Sequence, residues 1–141
     1  EKYKGIHTPY LYFGTPGTVF TWHLEDWLLP SANHLISGAS KLWYLIPAAS
    51  LTGFENACKE NEYDTIRFQC PQFIKHERLF FSGKRVSSSP NDWEENGYKC
   101  YTVEQEVGHL IVIWPGVYHS GINMGYNLAE AANFAIGGWL K

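Results

Sequence analysis

Short stretches of alternating hydrophobic and polar residues, separated by Gly and Pro, run through the first and last thirds of the chain. A period of two among β-branched and aromatic side chains predicts strands. We expect one pair of strands within residues 8–23 and a second, hairpin-like pair within residues 33–46. Phe20 and Trp22 should share one face of their strand, because side chains two residues apart project to the same side. Further strands are predicted over residues 100–103, 109–114 and 117–122.

The middle of the chain has a different pattern. Apolar residues recur at helical spacing in residues 50–61, which predicts a short amphipathic helix. Residues 63–81 are expected to be helical in part, and the polar residues 84–96 to form an exposed loop. Residues 127–136 fit a strand or a helix by local signal, and their context favours a strand. The whole pattern predicts an all-β fold with a helical insert, a double-sheet jelly roll whose interior can hold a ligand.

Composition narrows the class of protein. A chain of 141 residues, 45% of them hydrophobic, is long enough for one domain with a sizeable core. A net charge of -3 argues against nucleic-acid binding by this segment. Three cysteines without secretory features fit a reducing compartment, and no apolar run approaches the roughly 20 residues of a membrane helix. Because Glu1-Lys2-Tyr3-Lys4 does not resemble a natural start, we expect the sequence to be a fragment.

His23, Glu25 and His119 form the pattern with the clearest chemistry. In an extended strand His23 and Glu25 project to one side, so both can reach one point while Leu24 packs the other way. Two imidazoles and one carboxylate on one face are the ligands of non-haem Fe(II) oxygenases, which keep positions open for a co-substrate and O2. A single His-x-Glu also arises by chance, with the histidine merely packed in the core.

Lys41 stands directly before a run of large apolar residues, Leu42 to Ile46. A lysine in that position is usually the exposed end of a strand. The functional alternative is an anchor for a carboxylate, because an ammonium group offers a compact positive charge. The local pattern leaves both interpretations open.

Three stretches in order resemble the Jumonji C (JmjC) histone lysine demethylases. They are GIHTPYLYFG through WHLED at residues 5–26, KLWYLIP at 41–47, and PGVYHSGINMGYNLAE with NFA at 115–135. The resemblance is strongest to the zinc-containing JmjN/JmjC type that acts on histone H3 trimethyl-lysine. It implies the cupin-like double-stranded β-helix of JmjC domains, with residues 1–141 forming the catalytic domain. The upstream JmjN segment, an additional co-substrate tyrosine and the C-terminal half of a zinc site would lie outside residues 1–141.

The resemblance also implies roles for individual residues. The iron ligands would be His23, Glu25 and His119. The co-substrate 2-oxoglutarate would be held through its distal carboxylate by Asn33 and Lys41, between walls formed by Phe20 and Trp43. The methyl-lysine pocket would contain Gly5, Tyr12, Glu25 and Asn133.

Two features of the chain qualify this resemblance. The related type often has hydroxyl residues where this chain has Ala131 and Ala132, so the pocket here is less polar. Cys70 and His76 keep a Cys-x5-His spacing that resembles half of a structural zinc site. A buried cysteine and a surface histidine explain that spacing equally well.

By this resemblance the protein is an Fe(II)- and 2-oxoglutarate-dependent dioxygenase that uses O2. It would demethylate lysine on the histone H3 tail by N-methyl hydroxylation, releasing formaldehyde, succinate and CO2. Other domains would contact chromatin, and the location would be the nucleus. The alternatives are a JmjC protein hydroxylase and a catalytically silent JmjC scaffold, although the iron ligands and Lys41 are all present. A generic cupin explains the ligands but not the three stretches.

Overall fold

The computed structural model of the chain describes residues 6, 8–57 and 89–137. Within these residues the strands are β1 Tyr10–Gly14, β2 Val19–His23, β3 Ser31–Gly38, β4 Lys41–Ile46, β5 Tyr101–Gln105, β6 Leu110–Ile113, β7 Tyr118–Asn123 and β8 Asn127–Asn133. They form two four-stranded antiparallel sheets, in the orders β1-β8-β3-β6 and β2-β7-β4-β5. No helix in these ranges is long and apolar enough to cross a bilayer. The architecture is the predicted jelly roll, and the strand expected by context at residues 127–136 is present.

Strands β1 and β2 lie in different sheets, and so do β3 and β4. The two strands expected within residues 8–23 are present but do not pair with each other, and the hairpin-like pairing expected within residues 33–46 is wrong. Strand β1 pairs with β8, whereas β2 pairs with β7. Strand β3 lies between β8 and β6, whereas β4 lies between β7 and β5. The alternation of side chains within a strand is the same whatever strand lies beside it, so local pattern does not specify the partner.

A β-bulge in β2 changes which of its side chains share a face. Phe20 pairs with Gly121 and His23 with His119, so three steps along β2 match two steps along β7. The extra residue places Phe20 and His23 on the same side, and both line the cavity between the sheets. Trp22 instead packs into a separate core against Phe54. The expectation that Phe20 and Trp22 share a face is therefore wrong, because a bulge breaks the period of two and re-aims the side chains that follow.

A helical segment lies where one was predicted. Residues 51–57 are helical and bury Phe54 completely. Phe54 lies in an aromatic core together with Trp22, Trp93 and Tyr118. The expectations for residues 58–81 fall outside the described ranges. This core lies beside the cavity, so it supports β2 and β7 without filling the space between the sheets.

Residues 90–95 form a helix, Pro90–Glu95, where an exposed loop was expected. The helix begins with a capping box: Ser89 Oγ accepts from Asn91 N at 3.3 Å, and Asp92 Oδ2 accepts from Ser89 N at 3.0 Å. Trp93 is only 1% exposed and packs edge-on against Phe54. The expectation of an exposed loop was wrong because Trp93 is the one buried residue of this six-residue helix. Apart from Pro90 the other residues are polar, so the composition resembles that of a loop. The sequence signal for the helix was Ser89-Pro-Asn-Asp92, a cap followed by proline at the first turn.

Replacing Trp93 with alanine should destabilise the fold strongly. Loss of a fully buried tryptophan typically costs about 3–5 kcal/mol in free energy of unfolding. The measurement is urea denaturation of Trp93→Ala beside Trp114→Ala, a matched control whose side chain is 55% exposed. Equal losses in the two variants would contradict the packing described for Trp93.

Candidate metal and co-substrate site

A cavity of about 450 Å³ lies between the two sheets. It is lined by nine of the residues that the sequence pointed to: Tyr12, Phe20, His23, Glu25, Asn33, Lys41, Trp43, His119 and Asn133. Gly5, Cys70 and His76 lie outside the described ranges, and nothing about their positions follows from the structure. The fold thus gathers side chains that are more than one hundred residues apart in sequence around one space.

One end of the cavity holds the His-x-Glu motif and the distant histidine. His23 and His119 lie opposite each other on β2 and β7, with ring centroids 4.1 Å apart. His119 Nε2 lies 3.2 Å from Glu25 Oε1, and one ligand atom from each of the three residues lies within 4.8 Å of the others. Leu24 points away and packs against the aromatic core. In the described part of the chain this is the one cluster of three potential metal ligands.

Backbone carbonyls orient both imidazoles. His23 Nδ1 lies 2.7 Å from the Thr21 carbonyl oxygen, and His119 Nδ1 lies 3.1 Å from that of Val117. A carbonyl oxygen only accepts hydrogen bonds, so each Nδ1 carries a proton, and Nε2 is the nitrogen on each ring that is available to a metal. Histidines that bind metals are commonly held in this way, with one nitrogen donating to a backbone carbonyl. The donor set therefore fits a divalent iron ion.

Both oxygens of Glu25 are held by hydrogen-bond donors. Ser31 Oγ donates to Oε1 at 2.9 Å, and Asn133 Nδ2 donates to Oε2 at 2.9 Å. Burial alone would raise the pKa of Glu25, but the hydrogen bonds from His119, Asn133 and Ser31 outweigh it and lower that pKa to about 2. Glu25 is therefore an oriented carboxylate anion at neutral pH, as a metal ligand must be.

Sequence reasoning missed the role of Ser31. Six residues separate Ser31 from Glu25, and no motif links them; only the path of the chain into β3 brings them together. Asn133 was expected in the substrate pocket, and it does line the cavity, but its amide nitrogen is directed to Glu25.

Asn133→Ala should weaken metal binding. Loss of a partner that orients a ligand typically reduces metal affinity about 10–100-fold. Titration with Mn(II) measures the effect, and Asn96→Ala is the control, because Asn96 Nδ2 also donates a hydrogen bond, to the exposed helix carbonyl of Asp92. An unchanged affinity in Asn133→Ala would show that Glu25 does not depend on this contact.

The other end of the cavity carries a buried lysine. Lys41 is 5% exposed, and its Nζ donates to Asn123 Oδ1 at 2.5 Å. Its strand lies inside the sheet, between β7 and β5, so the interpretation as an exposed strand end is wrong. No carboxylate of the described residues forms an ion pair with Lys41. Desolvation by burial lowers the pKa of Lys41. An ammonium with donors directed toward a cavity suits an anionic group.

Asn123 is a second residue that sequence reasoning did not assign. Its Oδ1 accepts hydrogen bonds from Lys41 and from Asn127 Nδ2, while its Nδ2 donates to Thr18 Oγ1 at 2.9 Å. These contacts hold the lysine in place at the end of the cavity. A signal existed, because Asn123 follows His119 by four residues on a strand and therefore faces the same side.

Aromatic rings form the wall between the two ends. Phe20 packs edge-on against Trp43 with ring centroids 4.7 Å apart, and Trp43 lies 6.1 Å from the ring of His119. A Cβ atom on Gly121 would collide with the Phe20 ring and with the Leu42 carbonyl oxygen. The glycine opposite Phe20 thus makes room for the ring that closes the wall.

Comparison with known proteins matches residues 10–134 to the family described as JmjC domain, hydroxylase. The chain is 39% identical to Lysine-specific demethylase 4D of Rattus norvegicus over 97% of this chain and 25% of that protein. It is 38% identical to Probable lysine-specific demethylase 4F of Homo sapiens over 97% of this chain and 20% of that protein. It is 34% identical to Lysine-specific demethylase JMJ705 of Oryza sativa subsp. japonica over the whole chain and 11% of that protein. The chain thus spans a quarter or less of these relatives. Because the family match extends over most of its length, the chain belongs to the JmjC domain family.

Proposed function

We propose that this chain is the catalytic core of an Fe(II)- and 2-oxoglutarate-dependent dioxygenase that demethylates lysine on histone H3. The observation that carries the proposal is a single cavity with His23, Glu25 and His119 at one end and the buried Lys41 at the other. The first group suits iron and the second suits a carboxylate. The names of the relatives, lysine-specific demethylases, support the substrate class.

Residues at one end of the cavity would bind the iron, and residues at the other end bind the co-substrate. His23, Glu25 and His119 would hold the iron, which when bound supplies the activation of O2 for oxidation. Lys41 and Asn33 bind the distal carboxylate of 2-oxoglutarate. Phe20 and Trp43 exclude water from the space between.

The overall reaction balances with one oxygen atom going to each organic product. One atom converts 2-oxoglutarate to succinate and CO2. The other hydroxylates an N-methyl group, and the resulting hemiaminal releases formaldehyde and lysine with one methyl group fewer. A lone pair on the lysine nitrogen is not required, so trimethyl-lysine is an accessible substrate.

Tyr12, Glu25 and Asn133 line the part of the cavity assigned to the methylated side chain. Because Asn133 Nδ2 donates to Glu25, Asn133 Oδ1 remains to face the polarised methyl groups in weak C–H contacts. Desolvation by burial, and the nearby Glu25, raise the pKa of the Tyr12 hydroxyl, so it stays a neutral phenol at neutral pH. Ala131 and Ala132 also line this part and leave it less polar.

The proposed partner is the histone H3 tail, and the proposed location is the nucleus. Contacts with chromatin would come from other parts of the protein. Residues 1–141 would then be its JmjC catalytic domain. A zinc site at Cys70 and His76 stays a prediction, which metal analysis of the purified protein tests directly.

Mass spectrometry of trimethylated histone H3 peptides tests the proposed function. The protein is incubated with peptide, Fe(II), ascorbate and 2-oxoglutarate, and a parallel reaction omits 2-oxoglutarate. Loss of CH2 units from the peptide, with formaldehyde and succinate, is the expected result. A gain of one oxygen on an otherwise unchanged peptide would show a protein hydroxylase instead. An unchanged peptide together with bound metal would favour a silent scaffold.

A further inference from the structure

Gln105 is a buried polar residue that the proposed function does not use. Its side chain is 0% exposed, and it lies on β5 directly opposite Lys41. It is not among the residues that line the cavity, but it contacts two that are, Trp43 and Asn33. Because Asn33 is on β3, Gln105 connects the two sheets through side-chain hydrogen bonds.

The orientation of the Gln105 amide follows from chemistry. Trp43 Nε1 lies 2.9 Å from Gln105 Oε1. An indole nitrogen only donates hydrogen bonds, so the atom facing Trp43 must be the amide oxygen. The amide nitrogen of Gln105 is thereby turned toward Asn33.

Gln105 in turn orients the amide of Asn33. Gln105 Nε2 lies 2.9 Å from the Asn33 backbone oxygen, 3.2 Å from Asn33 Oδ1 and 3.1 Å from the His109 backbone oxygen. The amide has two N–H groups for these three acceptors, so one of them is shared between the backbone oxygen and Oδ1 of Asn33. Asn33 Oδ1 thus faces a donor behind the cavity wall. Asn33 Nδ2 has no hydrogen-bond acceptor among the described residues, so its N–H groups are available to a ligand in the cavity.

This polarity matters for an anionic ligand. A carboxylate accepts hydrogen bonds and donates none, so an asparagine beside it helps only if the N–H groups face it. The opposite amide orientation would set a carbonyl oxygen against the carboxylate and repel it. Nothing in the Asn33 side chain itself prefers one orientation, because its amide is nearly symmetric in shape.

We propose that Gln105 is a positioning residue that turns the N–H groups of Asn33 toward the distal carboxylate of 2-oxoglutarate. Trp43 orients the amide of Gln105, and Gln105 in turn orients the amide of Asn33. Lys41 supplies the positive charge for the same carboxylate. This inference rests on the proposed function, since it assumes that the cavity binds 2-oxoglutarate.

Gln105→Glu reverses the polarity with little change in shape. The new carboxylate still accepts the hydrogen bond of Trp43 Nε1, but it has no N–H group to donate to Asn33. Asn33 therefore turns its Nδ2 toward residue 105 and its Oδ1 toward the cavity. The dissociation constant of 2-oxoglutarate should rise about 10–100-fold, as expected when a hydrogen bond to a charged group is lost. The Kd is measured calorimetrically on the complete protein loaded with Mn(II), and saturating co-substrate should restore most of kcat. Gln105→Met, which keeps the volume and removes both polar groups, is measured in parallel in case a buried carboxylate is not tolerated.

A double-mutant cycle with Asn33→Ala separates this role from a structural one. If Gln105 acts through Asn33, both Gln105 variants raise the Kd of 2-oxoglutarate when Asn33 is present. In a protein that already carries Asn33→Ala, they have no further effect. If a residue-105 carboxylate acts through Lys41 or by loosening the fold, the rise is the same in both backgrounds, and the inference is wrong. Glu104→Gln, an acid-to-amide change at the neighbouring exposed position, is the control and should leave the Kd unchanged.

Failure of the proposed function is distinguishable from failure of this inference. A wild-type protein that binds Mn(II) but not 2-oxoglutarate would overturn both. If the Gln105 variants bind 2-oxoglutarate as tightly as wild type does, the inference alone is wrong.

Discussion

His119→Ala should reduce turnover of a methylated peptide below detection while leaving the fold intact. The variant removes one of the three proposed metal ligands, and it also removes one of the two partners of Glu25 Oε1, leaving Ser31. The side chain borders a cavity and not the aromatic core, so its loss should cost little stability. Succinate release measures turnover, Mn(II) titration measures metal binding, and circular dichroism reports the fold.

His34→Ala is the matched control for this prediction. His34 lies on β3 outside the cavity, and its Nδ1 pairs with Glu130 Oε1 at 3.2 Å. We expect this variant to keep metal binding and turnover close to those of wild type. Succinate production that survives in His119→Ala would remove His119 from the metal site.

Lys41→Met should weaken 2-oxoglutarate binding strongly and, at the same time, stabilise the protein without ligand. Truncating one partner of a buried charge pair typically costs about 2–5 kcal/mol of binding free energy, which is at least about thirty-fold in KM for 2-oxoglutarate. Without a ligand, the buried ammonium has only an amide oxygen as its recorded partner among the described residues. Removing a desolvated charge of that kind relieves the cost of burying it. Opposite effects on binding and stability are typical of a functional residue.

The two measurements for Lys41→Met are initial rates over a range of 2-oxoglutarate concentrations and thermal unfolding without co-substrate. Lys99→Met is the control, because Lys99 is exposed and lies over the Tyr101 ring, away from the cavity. An unchanged KM would show that Lys41 does not contact the co-substrate. A lower unfolding temperature in Lys41→Met would show that its contact with Asn123 outweighs the cost of burial.

The amino-acid sequence by itself determined the strands and the chemistry of the candidate metal site. Period-two alternation between glycine and proline turns is a local property, and it predicted most strands to within a few residues. The His-x-Glu spacing also carries its own geometry. Two extended residues project their side chains together, so His23 and Glu25 reach one point without help from the rest of the fold.

Only the tertiary structure decided which strands pair and which faces they bury. The bulge that turns Phe20 and His23 to the same side forms where three steps along β2 pair with two steps along β7. Lys41 is buried because two strands flank its own. Local sequence contains no information about either arrangement, since both depend on residues more than sixty positions away.

The polar contacts of the site depend on tertiary structure even more strongly. Ser31 and Asn133 reach Glu25 from separate strands, and Gln105 reaches Asn33 from the opposite sheet. Each is an ordinary serine or amide in the sequence, because the hydrogen bond of such a side chain is defined by the atom it meets. Side-chain chemistry and spacing thus determined what the site contains, and the packing of two sheets decided how each group is oriented.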